Sequence, residues 1–484
     1  MPCNSLESQE MGDPEKRLIR PPSTLDLMMA TVSLAGAQAA FSIQFAYGTN
    51  YLSSLGISPS LTSIVWIIPP LCGGLVQPMF GITSDRCRSS SGRRMPFILG
   101  GSLGLCLGLV VFAWGVDISQ ILDKSCGADF SHPDGCGLTS TIVVLSILMI
   151  NVSVQSLQSG GRALLVDMFP AAQQSRANVW ASRMTNGANL IHYGLASLDL
   201  AQMFPFLGGT QLKVHCVLAC WFLIVASAIT HHGIAESPPA PGISSASLFT
   251  QLRGASILLR SDILHLQAIQ FCTWLAWFPF MLYIRSYLDN FGVLSSTPPT
   301  LWKGLGSLAL FSQAVIALMV IILLPPLLAR FHRVPRDHES QQNNSRFSWK
   351  AHRFIWFVAQ LLFGASVSGI ALTDSRHLIL VLTGMTGVSW AVTQWVPVTL
   401  LTVKIRDSLA DAALDGDGCS NGVTMGLFNL SITVPQLVSM FLASGVFWVA
   451  GGTGPSILGS RLVCGLSGLM SAGGAVLTWR LQER

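Results

Sequence analysis

The chain has 484 residues, of which half are hydrophobic and only 11 % are charged, well below the roughly 25 % of soluble domains. This excludes an ordinary soluble domain. The net charge of +5 makes no nucleic-acid surface, because the basic residues sit in short loops between apolar runs. Those runs are about twenty residues long, enough to cross a hydrocarbon core of about 30 Å. The expected fold class is an all-α membrane protein with many spans.

In chain order, residues 1–24 are polar and mixed in charge, without the apolar core or cleavage site of a signal peptide. They read as a cytosolic N-terminal tail. Spans follow at 25–47, 61–82, 96–116, 139–169, 177–201 and 213–230, and again at 263–284, 304–329, 354–372, 377–400, 422–449 and 458–479. Twelve transmembrane helices thus fall into two six-helix halves, over 25–230 and 263–480, with 481–484 as a cytosolic tail. The interruption at 231–262 contains Pro238-Pro239-Ala240-Pro241-Gly242, the composition of a linker.

The basic residues set the orientation. Arg86, Arg88, Arg93 and Arg94 follow span two, Arg253 and Arg260 follow span six, and Arg330, Arg333, Arg336, Arg346, Lys350 and Arg353 lie between spans eight and nine. The opposite loops carry only scattered basic residues. Both termini are therefore expected in the cytosol. Cys126 and Cys136 share one polar loop on the oxidising side, where a disulfide closing that loop is one reading. Asp407, Asp411, Asp415 and Asp417 form an acidic run after span ten, read first as a solvated loop.

Some polar residues fall inside the spans. Arg162 and Asp167 lie in span four, where a charge costs roughly 2.5–3.5 kcal/mol unless it faces protein or water. Five residues apart, they point about 140° away from each other on an ideal helix, so a direct pair would need a distortion at Gly160-Gly161. In span five, Arg183, Asn186, Asn189 and His192 recur every three residues, and Asp199 follows seven after His192 on nearly the same face. Such a stripe reads either as a lined path or as interhelical hydrogen bonding. Gln38 and Ser42 bring hydrogen-bonding groups into span one. Trp274, Trp277, Phe278, Trp390 and Trp395 offer flat faces suited to a ligand's ring or simply to packing. There is no metal-ligand spacing, phosphate-cradling loop or nucleophile signature, so no enzyme and no bound cofactor is expected.

The loop after span two reads Gly81-Ile82-Thr83-Ser84-Asp85-Arg86-Cys87-Arg88-Ser89-Ser90-Ser91-Gly92-Arg93-Arg94-Met95-Pro96-Phe97-Ile98. It resembles the loop motif of the major facilitator superfamily, in the longer form of sucrose transporters. Gly160-Gly161-Arg162-Ala163-Leu164-Leu165-Val166-Asp167 is similar to a helix-four signature of that group, and Thr273-Trp274-Leu275-Ala276-Trp277-Phe278-Pro279-Phe280 to a helix-seven signature. Matches also occur at Ala35-Gly36-Ala37-Gln38, Ser389-Trp390-Ala391-Val392 and Gly426-Leu427-Phe428-Asn429. The resemblance is to the sucrose-transporter-like branch of the glycoside–pentoside–hexuronide cation symporters, and to fungal members through Trp180-Ala181-Ser182-Arg183-Met184. The chain departs from the pattern at Met95, where an arginine is common, and at Tyr283-Ile284-Arg285-Ser286-Tyr287-Leu288-Asp289. A histidine of the plant members' first outer loop is missing.

The resemblance implies a monomeric, proton-coupled transporter that works by alternating access. Its substrate would be a glycoside, either sucrose or an α-glucoside such as maltose, crossing the plasma membrane or a vacuolar one. It implies Asp167 with Arg162 for proton coupling, and Gln38, Arg183, Asn186, Asn189, Asp199, Trp277, Trp390 and Asn429 along the substrate path. Gly81, Asp85, Arg86, Gly92, Arg93 and Arg94 would form a cytosolic gate that closes across the two halves. The alternatives are a facilitator-type exporter of a small fungal metabolite and a sugar sensor that does not transport.

Overall fold

The computed structural model describes residues 23–124, 137–169, 171–234, 236, 261–293, 305–331, 338–412, 421–450 and 457–481. Twelve long helices account for nearly all of them. They are α1 (Thr24–Ser54), α2 (Pro59–Arg86), α3 (Met95–Ala113), α4 (Gly137–Met168), α5 (Ala171–Ser197) and α6 (Gln211–Gly233) in the first half. The second half holds α7 (Ser261–Val293), α8 (Leu305–Phe331), α9 (His338–Leu372), α10 (Arg376–Ala412), α11 (Asn421–Val449) and α12 (Ile457–Arg480). Helices are what an apolar chain must form in hydrocarbon, where backbone groups have no water to bond. Local sequence sets several starts. Ser23 and Asp26 make a reciprocal capping box at α1, Ser58 caps α2 ahead of Pro59, and the Thr210 side chain accepts the Lys213 N–H at the start of α6. Among the described residues, ten helices are long and apolar enough to span a membrane. The other two, α5 and α7, are long enough but carry more polar residues along the span, and each packs between neighbours inside the bundle.

The packing repeats itself. In the first half α3 lies on α4, α1 on α5 and α6, and α2 on α4. The second half shows the equivalent pairs, α9 on α10, α7 on α11 and α12, and α8 on α10. Between halves, α5 packs on α8 and α2 on α11, which are again equivalent pairs. The two sets of six helices therefore pack in the same pattern. Leu103, Leu107, Leu145, Trp221, Phe354, Phe441 and Trp448 stay exposed on the bundle's outer faces, the arrangement of a multi-pass membrane protein.

The expected boundaries shift at three functional places. Helix α1 continues past 47 to Ser54 and α7 continues past 284 to Val293, because their polar ends bond each other across the halves. Helix α5 stops at Ser197, and the Asp199 side chain accepts the Gln202 N–H to cap the next short helix. Most of the 231–262 linker, the acidic residues Asp415 and Asp417, and both Cys126 and Cys136 lie outside the described residues.

Two helices also carry a wide turn, Gln44–Gly48 in α1 and Cys72–Val76 in α2. Single π-type turns of this kind rotate the residues beyond them and concentrate at functional sites.

Candidate functional site

The loop between α2 and α3 is tied to its own half. The Arg94 guanidinium reaches the Asp85 carboxylate at 2.6 Å and Asp167 at 2.8 Å, and Arg93 reaches Asp167 at 2.8 Å. The Glu236 carboxylate, just beyond α6, accepts the backbone N–H of Arg94 at 2.9 Å and of Met95 at 3.3 Å, so a carboxylate sits on the positive end of α3. Gly92 is required in this turn. Its φ of +100° lies in the left-handed region, and a Cβ there would meet Glu236. Gly81 sits close to Ser159, with its missing Cβ 3.6 Å from that hydroxyl. These contacts join the ends of α2, α3, α4 and α6, all in the first half. Arg93 and Arg94, expected to pair across the halves, pair here with carboxylates of their own half, in a clasp. Arg86 contributes at the same end, being engaged by a neighbour.

Arg162 and Asp167 part company. Asp167 turns to Arg93 and Arg94, while Arg162 lies on the α4 face that also carries Asn151, Gln155 and Gln158, spaced four, three and four residues apart. On that face the Asn151 amide bonds Gln44 of α1 at 2.9 Å. Gln155 approaches Gly73 of α2, where Thr433 and Asn429 of the other half converge. Arg162 is the exposed residue of the row. The Asn429 amide donates to the Gly73 carbonyl at 2.8 Å and to Gln77 at 2.7 Å. This cross-half contact uses the carbonyl freed at the wide turn of α2.

The α5 stripe is partly bonded and partly free. Gln38 and Ser42 of α1 both donate to Asn189 Oδ1, at 3.0 and 2.8 Å. Asn186 donates to its own helix at Ser182, leaving its Oδ1 buried without a partner, and Arg183 Nε is likewise buried and unpartnered beneath Trp180. Asp199, beyond the end of α5, does not continue the stripe and leaves the expected path. Trp277 is 2 % exposed and stacks on Phe363 at 4.0 Å, with Trp390 at 5.1 Å. It packs the second half instead of lining a groove. The Nε1 donors of Trp274 and Trp395 are buried and unsatisfied.

At the end of the bundle opposite the Arg94 clasp, the halves are bonded to each other. Thr49 Oγ1 donates to the Leu282 carbonyl at 2.9 Å, the Asn50 amide donates to Asp289 at 2.9 Å, and the Ser63 and Tyr283 hydroxyls bond each other. Arg285 lies 4.5 Å above the Tyr47 ring and pairs with Asp289 at 3.3 Å.

Comparison with known proteins agrees with this geometry. Residues 28–167 match the family model described as MFS/sugar transport protein. The chain is 28 % identical to the General alpha-glucoside permease of Schizosaccharomyces pombe, covering 90 % of this chain and 89 % of that one. It is 27 % identical to the Sucrose transport protein SUT1 of Oryza sativa subsp. japonica, covering 85 % and 80 %. Among solved structures, the xylose transporter XylE from E. coli superposes with a TM-score of 0.61 at 12 % identity, over 96 % of this chain and all of that one. The nucleoside transporter NupG gives 0.58 at 11 %, over 95 % and 98 %. By these matches the chain has the fold of the facilitator transporters and is similar over most of its length to the α-glucoside and sucrose carriers.

Within this facilitator fold Asn186 and Asn189 are buried, Gln38, Arg183 and Asn429 are half-buried, and Arg162 is exposed. The departure at Met95 has a structural reason. Met95 is 1 % exposed in an apolar cluster with Leu27, Leu34, Ile98, Leu164 and Phe169, where an arginine side chain would bury its charge among apolar groups. Glu236 and His215 were not singled out from the sequence. Glu236 sits beside the linker prolines, and His215 is a lone histidine in an apolar run, so neither shows a pattern.

Proposed function

We propose that the chain is a proton-coupled transporter of a glycoside, sucrose or an α-glucoside such as maltose, working by alternating access. The observation that carries the reading is similarity over nearly the full length of both chains to a permease named for α-glucosides. It is joined by a facilitator fold with polar side chains on its interior helix faces. The basic loops make the Arg94 clasp the cytosolic end, with both termini there and the protein a monomer in the plasma membrane.

In this reading the interface between halves is the path. Gln38, Asn189, Arg162 and Asn429 offer donors and acceptors to sugar hydroxyls, and the unsatisfied Arg183 Nε, Asn186 Oδ1 and Trp274 Nε1 gain partners when a hydroxylated ligand enters. Asp167 belongs to the cytosolic clasp and Arg162 to the path, so the two act separately. The clasp fixes the inner ends of α2, α3 and α4 as one rigid edge, against which the second half rocks. The outer bonds from Thr49, Asn50 and Ser63 hold the opposite end shut and must break when the site opens outward.

Uptake of labelled maltose and of labelled sucrose into transport-deficient yeast, with surface expression verified, tests the reading. We expect saturable uptake of at least one sugar, faster at about pH 5 than at about pH 7.5. Uptake of neither at either pH would overturn the glycoside assignment.

A further inference from the structure

A chain of buried titratable groups runs behind the outer gate. His192 Nδ1 of α5 lies 3.0 Å from His215 Nε2 of α6, with the rings stacked at 5.3 Å. His215 Nδ1 lies 3.0 Å from the Tyr47 hydroxyl of α1. The Tyr47 ring then carries the Arg285 guanidinium of α7, from the other half. Both histidines are 1 % exposed or less, and His192 Nε2 is a buried nitrogen without a partner, as is Arg285 Nη1.

The proton count of this chain is constrained. Let His215 donate from Nδ1 to Tyr47 and His192 donate from Nδ1 to His215. Each hydrogen bond is then made with both rings neutral, and His192 Nε2 is left as a bare lone pair. One proton can be added at that nitrogen, giving an imidazolium, without breaking a bond in the chain. Transfer of the shared proton moves the cation to His215, beside the tyrosine on which Arg285 rests.

We propose that the His192–His215 pair is a proton-binding site that governs the outer gate, its cation displacing Arg285 from Tyr47 and so releasing the second half from the first. The inference rests on the alternating-access reading above. The other ionisable groups around the chain are accounted for. Asp289 takes Arg285, the Asn50 amide and the Gly306 N–H, while Lys213 of α6 is held by Asp117 at 2.7 Å. Arg461 of α12 is held by Asp374 and Tyr287. Tyr51, Tyr193, Tyr283 and Cys216 complete the surroundings, and α8 has no titratable side chain before Arg330. With Asp289 already shared three ways, a second cation beside Arg285 meets no spare carboxylate among the described residues.

The sign follows from linkage. The gate-closed state, with Arg285 close, binds the proton weakly, and the gate-open state binds it more tightly, so acid favours opening by the same factor. A proton would load from outside and leave once the gate has shut, which is the order symport requires.

The test places spin labels at Ser54 and Leu372, at the outer ends of the two halves, through a genetically encoded keto amino acid that leaves the cysteines unlabelled. Distances are measured in nanodiscs without sugar. The wild type should shift toward the longer distance between about pH 8 and about pH 5, with the open-to-closed ratio rising about tenfold, equal to the ratio of proton affinities of the two states. His192→Gln and His215→Gln, which keep a hydrogen-bonding amide, should respond less than about twofold. Arg285→Gln should also be flat, although it leaves both histidines in place. A wild type without a pH response, or any of these variants following the wild type, would overturn the proposal. If His215→Gln does not fold, the other two carry the test. Because the readout needs no substrate, a protein that gates with pH but carries no glycoside refutes only the substrate assignment.

Discussion

Asp167 is conspicuous in the sequence, whereas the identity of its ion-pair partners is not. An aspartate inside an apolar run is conspicuous, and so is the arginine five positions before it. The helix turn sends them to different faces, and Asp167 is taken by arginines from a loop over seventy positions earlier in the chain. Arg94 is the more constrained partner, its side chain only 6 % exposed. Removing a carboxylate from a nearly buried guanidinium leaves an unsatisfied charged donor, a loss of about 1–3 kcal/mol. Asp167→Asn should therefore lower the thermal unfolding temperature in detergent, and Asp85→Asn, at a more exposed carboxylate, should lower it less. Met95→Arg should restore the loop pattern of the family and yet destabilise, because it buries a charge among Leu27, Ile98 and Leu164. Unfolding temperatures equal to wild type for Asp167→Asn and Met95→Arg would contradict the clasp and the cluster respectively.

At the scale of elements, most helices follow from the apolar runs, and a basic loop or a proline-rich break separates most of them. What the runs do not encode is where a polar helix end stops. Residues Thr49 and Asn50 read as the start of a loop because they interrupt the apolar pattern. They remain helical because Leu282 and Asp289 of the other half receive their hydrogen bonds. The pairing of His192 with His215 is hidden for the same reason: it depends on how α5 lies against α6, and no spacing within either helix reports that. The α3–α4 contact, by contrast, is written in small residues. A Cβ at Gly101 would come within 2.7 Å of the Leu157 backbone nitrogen, whereas one at Gly100 meets nothing within 4 Å. Gly101→Ala should force the helices apart at a cost of about 1–3 kcal/mol. Gly100→Ala should be neutral or gain up to about 1 kcal/mol from better helix propensity. Equal unfolding temperatures for the two variants would show that α3 and α4 do not pack this closely.

For the whole molecule, the repeated contact pattern is the feature with most functional weight. Equivalent helix pairs hold each half together, and equivalent pairs, α5 with α8 and α2 with α11, join the halves. Such an interface can rock while each half stays rigid, so in the proposed function the substrate path and the outer gate fall on the one surface that changes. The outer gate is bonded across that surface and the cytosolic clasp is not, which makes them different devices: one is a latch, the other a brace. The central claim, proton-coupled glycoside transport, is tested most directly by labelled maltose and sucrose in proteoliposomes with an imposed pH gradient. The predicted result is accumulation of one of the sugars above equilibrium when the side bearing the outer gate is acidic, abolished by a protonophore. Accumulation that survives the protonophore, or uptake that never exceeds equilibration for either sugar, would contradict it.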